Sequence, residues 1–149
     1  MDETQRYFEL CLSIINGEDD FWGGLESWNE MIARYNFVPP NPHFSFRLRS
    51  CCYYLRACLD QKVTVTVHDV HRLGFSKIHR IWRLYELTDK PEYLEPTQYY
   101  KQTNKALEDK LKKLTPDAAL DHLDKRIKEA VKKVQDLIRE RQEMINAPT

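Results

Sequence analysis

The chain has 149 residues, 42% hydrophobic and 31% charged, which suits one folded domain or a domain with a helical extension and argues against general disorder. Basic and acidic side chains both number 23, so no global basic excess draws the chain toward nucleic acid. The charge is unevenly placed, however. Residues 1–42 carry two basic and eight acidic side chains, net −6, and residues 43–87 carry eight and three, net +5.

A first helix is predicted over 3–16, with Tyr7, Cys11, Ile14 and Ile15 on one face, Phe8 and Leu12 beside it, and Gly17 as its stop. Glu18-Asp19-Asp20 supplies a cap and favourable charge for a second helix carrying Phe21, Leu25, Trp28, Ile32 and Tyr35. Asn41 as cap and Pro42 as first residue open a third, whose apolar side is Leu48, Cys51, Cys52, Leu55, Cys58 and Leu59. Alternation at 44–48 and 63–67 offers a small two-stranded ribbon as the rival reading. Thr66 starts a fourth helix with Asp69 as its capping-box partner, Gly74 takes a left-handed turn, and Ser76 caps a fifth helix.

Pro91 and Pro96 bracket a short connection, followed by a helix over 97–114. Thr115-Pro116 then caps and opens a last helix over 116–146. Along it Leu120, Leu123, Ile127, Ala130, Val134, Leu137 and Met144 follow a heptad broken by Arg141. Val131, Ile138 and Ile145 widen that stripe, which favours packing on a bundle over an isolated two-stranded coil. The expected fold class is all-α with about six helices. Residues 1–90 form a helical-hairpin domain, and residues 91–149 form an extension with a long amphipathic helix packed on it.

The stretch TVHDVHRLGFSKIHRIWRLYEL at 66–87 resembles a DNA-reading helix-turn-helix in its run of apolar residue, Gly74, apolar residue and Ser76. That resemblance implies phosphate contacts from Arg72, Lys77, Arg80 and Arg83, with Lys77 and Arg80 reaching base edges. The apolar frame departs from the family, because Asp69, Arg80 and Arg83 stand where it usually buries apolar residues. Ile78, Ile81, Trp82, Leu84 and Tyr85 form the apolar side instead, which favours a structural helix pair with a cationic outer side.

Residues 4–41 resemble one pentatricopeptide repeat, through Phe8 and Leu12 in the first helix and Gly24, Leu25, Trp28, Met31 and Val38-Pro39 in the second. Phe44, Leu48 and Cys52 open a second such unit. The resemblance implies a stacked solenoid and a place in single-stranded RNA binding or in an organellar ribonucleoprotein assembly. Leu10 stands where the family usually offers a polar base-reading side chain, so base-specific reading is not implied.

No catalytic signature is present: the chain has no GxSxG, Walker loop, GxGxxG or kinase motif, and only four glycines. His68, His71 and His79 can be drawn as a zinc site, but without HExxH or CxxC spacing they read as exposed or hydrogen-bonded histidines. Cys11, Cys51, Cys52 and Cys58 read as small apolar helix residues, which points to a reducing intracellular compartment: cytoplasm, nucleus or organelle matrix. No apolar run approaches the ~18 residues of a membrane span, and the acidic N-terminus lacks signal-peptide features, a leader already removed being left open.

The expected function is therefore a non-enzymatic helical interaction protein in an RNA–protein or other nucleic-acid-associated assembly, with no catalytic residue, metal or cofactor. Its phosphate-facing cations are Arg47, Arg49, Arg56, Arg72, Lys77, Arg80 and Arg83. Its protein-partner face is Leu120, Leu123, Ile127, Val134 and Leu137. The alternatives are a homodimeric helix-turn-helix-like DNA regulator joined through the last helix, and a protein–protein adaptor with no nucleic-acid role. No membrane partner is expected.

Overall fold

Asn41 accepts the Phe44 backbone N–H on its side-chain oxygen at 2.8 Å, and Pro42 opens the helix at the heart of the fold. The computed structural model describes residues 2–19 and 24–147. Its α-helices are α1 (Asp2–Gly17), α2 (Leu25–Ala33), α3 (Pro42–Asp60), α4 (Val67–Leu73), α5 (Phe75–Thr88) and α6 (Asn104–Asn146). Two 3-10 turns, Pro91–Leu94 and Pro96–Tyr99, connect α5 to α6. The fold is all-α, with no strand among the described residues.

The described residues divide into two units, one running through Leu111 and one beginning at Lys112. In the first, α3 is the central helix, packed by α1, α2, α5 and the first 3-10 turn. Leu48, Cys51, Cys52, Tyr54, Leu55 and Cys58 of α3 are buried, against Cys11 and Ile14 from α1 and Trp28 and Ile32 from α2. Ile78, Ile81 and Leu84 complete the core from α5, and Leu107 and Leu111 bury the start of α6. Each such side chain contributes roughly 1.5–3 kcal/mol on leaving water. All four cysteines are free thiols inside this core.

Among the described residues, buried side-chain polar atoms other than Arg47 Nε are paired, as low-dielectric surroundings favour. Trp28 Nε1 donates to Ser45 Oγ at 2.8 Å, and Ser45 in turn donates to Asn29 Oδ1 at 2.8 Å, which joins α2 to α3. The Tyr54 hydroxyl donates to the Leu94 carbonyl at 2.6 Å and fixes the first 3-10 turn on α3. Tyr7, Phe37, Phe44 and Phe75 cluster with neighbouring ring centroids 5.1–6.2 Å apart, closing α1 over the starts of α3 and α5.

Several local expectations are corrected. The acidic turn does not cap α2, which starts after Gly24 with no side-chain cap, and Glu18 instead pairs with Arg34 at 2.8 Å. The expected Asp20 and Phe21 positions lie outside the described residues. Residues 44–48 are helical and 63–66 are neither helix nor strand, so the two-stranded ribbon does not form. Leu59 faces solvent although Ala57 and Cys58 in the same last turn of α3 are buried, because it points to the opposite side of the helix from them.

Ser76 lies inside α5 rather than capping it, since Gly74 already turns the chain at φ 82° and ψ 157°. Residues 97–99 are 3-10, and Thr115-Pro116 lies within α6 instead of opening a new helix. A proline inside a helix removes one backbone hydrogen bond and its ring crowds the carbonyl four residues back, at a cost of about 3 kcal/mol or more. The helix starts earlier because Thr103 Oγ1 accepts the Ala106 N–H at 3.0 Å, a cap followed by Leu107 and Leu111 at helical spacing.

Candidate interaction surfaces

The seven cations expected to face phosphates occupy several distinct environments. Arg49 is buried: its Nε donates to the Tyr53 hydroxyl at 2.8 Å, and its guanidinium lies over the Tyr53 and Trp28 rings. Arg56 donates to the Glu18 carbonyl at 3.0 Å, and Lys77 to the Tyr99 carbonyl at 2.9 Å. Arg72 stacks over Tyr100 with 4.0 Å from guanidinium carbon to ring centroid, while the Tyr100 hydroxyl donates to Asp69. Asp69 also accepts the Thr66 backbone N–H at 2.8 Å, completing the expected capping box.

Arg47, Arg80 and Arg83 are brought together by the packing of α3 on α5. Their charges and partial burial hold the His79 ring well below its usual value, at about 4, with burial the largest cause and Glu108 opposing. Arg80 is partly neutralised, donating to Glu108 at 2.7 Å and to the Ser76 carbonyl at 2.9 Å. Arg47 contacts His43, and its Nε is buried without a hydrogen-bond partner among the described residues. Arg83 is exposed.

Beside this group lies an open cleft of about 190 Å³ between α3 and α5. Phe46, Ser50 and Tyr53 form one wall, and His79, Trp82 and Glu86 form the other. The Trp82 ring stacks on Tyr53 at 5.3 Å with 24° between planes, and Ser50 Oγ lies 2.8 Å from His79 Nδ1. Sequence reasoning missed this cleft. Its signal is the three-to-four spacing of both residue sets, which places each on one helix face.

In the second unit, α6 carries the expected apolar stripe on an exposed face. Leu120, Leu123, Ile127, Val134 and Leu137 are between 47% and 61% exposed. Val131, Ile138, Met144 and Ile145 are exposed too, so the stripe continues toward the end of the helix. A contiguous apolar surface of this kind differs from scattered surface leucines, because covering it would remove a large area from water at once. No helix among the described residues is long and apolar enough to cross a membrane.

The histidines do not converge. His68 is exposed, His71 Nδ1 lies 3.1 Å from Thr4 Oγ1, and His79 sits beside the cleft. Among the described residues no group of three or more His, Cys, Asp or Glu side chains is placed to hold a metal ion. No protein family, curated protein or solved structure matches the chain.

Proposed function

We propose that this is a non-enzymatic helical interaction protein that binds another protein chain through the apolar face of α6. The observation that carries this reading is the exposure of Leu120, Leu123, Ile127, Val134 and Leu137 along one helical stripe. Helices draw most of their stability from packing an apolar face, so a stripe left open in the chain itself calls for a partner. The test is photo-crosslinking of the full chain in extracts of the cells that make it. A photoreactive residue at Ile127 should give a defined product, and one at Lys125, outside the stripe, should not. Equal labelling from both positions, or none from either, would remove the reading.

A second reading, membership of a nucleic-acid-associated assembly, is favoured by the Arg47, Arg80 and Arg83 group beside an aromatic cleft. Arginine charge beside the exposed Phe46 ring and the partly exposed Trp82 ring suits a phosphate and a stacked base. Titration with single-stranded RNA and with duplex DNA at ~50 mM salt tests it. Binding that weakens with salt and falls in Arg47→Ala plus Arg83→Ala supports the reading, and absence of binding counts against it.

A further inference from the structure

We infer that the partner of α6 is a second copy of this chain, bound antiparallel over residues 120–144. This rests on the reading of α6 as a protein-binding face and names its occupant. The heptad places Leu120, Ile127, Val134 and Arg141 at a, and Leu123, Ala130, Leu137 and Met144 at d. Asp124 and Val131 fall at e, and Arg126, Lys133 and Glu140 at g. The charged residues in this frame decide the orientation.

A parallel pair sets each a residue against its own copy. Arg141 would meet Arg141 in the apolar seam, two like charges where water is excluded. At the flanks of that pair, g residues face e residues five positions on. Arg126, Lys133 and Glu140 would therefore meet Val131, Ile138 and Ile145, with no opposite charge to pair.

The antiparallel pair removes the Arg141–Arg141 contact and gives the g charges Arg126 and Glu140 opposite partners, leaving Asp124 beside Ile138 of the second copy at the e flank. Its layers set a against d, so Leu120 meets Met144, Ile127 meets Leu137 and Ala130 meets Val134 of the second copy. Arg141 then lies over Leu123, with Asp124 of the second copy one position on. At the flank g faces g, which sets Arg126 opposite Glu140. Two-fold symmetry doubles each pairing, giving four opposite-charge contacts. Val131 meets its own copy on the two-fold axis and makes an apolar contact at e. Lys133 also meets its own copy, but at the solvent edge, where long side chains diverge at little cost.

The size of the contact fits a specific dimer. Residues 120–144 span about 36 Å of helix at 1.5 Å per residue. A face half the circumference of a helix about 11 Å across then covers on the order of 600 Å² per copy. That lies at the lower edge of standard specific interfaces, which bury about 800 Å² per partner. That half-circumference face already includes Val131 and Ile138, which are exposed beside the strict a/d seam.

The purified full chain tests this directly. Size-exclusion with light scattering should give twice the 17.8 kDa chain mass, and a monomer at every concentration would overturn the inference. The native thiols are buried, so introduced surface cysteines report orientation without interference. Leu120→Cys mixed with Met144→Cys should cross-link, whereas Met144→Cys alone should not. Self-cross-linking at 144 would establish the parallel pair and overturn the antiparallel one.

Glu140→Arg should raise the dimer dissociation constant about tenfold, and adding Arg126→Glu should restore it. Failure of that rescue also counts against the inference. The underlying reading fails separately. A monomer whose residue 127 still cross-links a different protein would overturn the second-copy assignment and leave α6 a protein-binding face. A monomer that cross-links nothing would overturn both.

Discussion

Arg80 Nε donates to Glu108 Oε1 at 2.7 Å and ties α5 to the start of α6. The same guanidinium reaches back to the Ser76 carbonyl at 2.9 Å, so two of its nitrogens donate within the protein. A double-mutant cycle with Arg80→Ala and Glu108→Ala should give a coupling of about 0.5–1 kcal/mol in denaturant unfolding, since Glu108 remains partly solvated. Additive effects would mean that the pair contributes nothing to stability.

Arg49 acts as a flat, paired core group. Arg49→Lys preserves charge but loses the planar stacking over Trp28 and Tyr53 and the geometry of the Tyr53 hydrogen bond. It should cost about 1–3 kcal/mol, read as a lower denaturant midpoint. A wild-type midpoint in the lysine variant would show that charge alone suffices at this position.

Gly74 joins α4 to α5 at φ 82° and ψ 157°, a region that residues with a Cβ rarely enter. A Cβ there would meet nothing within 4 Å, so Gly74→Ala isolates backbone strain from clash. The expected loss is about 1–3 kcal/mol. Unchanged stability would show that the turn relaxes freely.

What was legible in the sequence was local. The Thr66–Asp69 capping box, the Asn41-Pro42 helix start and the Gly74 turn each depend on residues within a few positions, and all three are present. The all-α class and the α6 stripe followed from spacing alone. Arg49 was read as a surface cation because its stacking partner Trp28 is brought to it from another helix by packing. The Glu18–Arg34 pair and the Arg47, Arg80 and Arg83 group likewise exist through contacts between helices. Thr115-Pro116 carried a valid start signal, but the Thr103 cap upstream had already begun the helix.

His79 gives the fold a pH dependence of known sign. Its folded value of about 4 lies below the ordinary 6.5, because burial and then Arg47, Arg83 and Arg80 disfavour its charged form. Between these values the unfolded chain binds the extra proton, so this contribution is fully present above pH 6.5 and is lost as pH falls toward 4. His79→Gln should show a smaller drop in unfolding free energy from pH 7 to pH 4.5 than wild type. An equal drop in both would assign the acid sensitivity to other groups.

Amide hydrogen exchange of α6 in the full-length protein is the most direct measurement of whether its apolar face is covered. A helix with an open apolar stripe frays readily, whereas one packed on a partner exchanges slowly. Residues 120–144 should be protected in the wild-type protein, with protection rising with concentration and lost in Ile127→Asp plus Val134→Asp. Fast exchange at every concentration, or protection unchanged by those substitutions, would contradict an interface on that face.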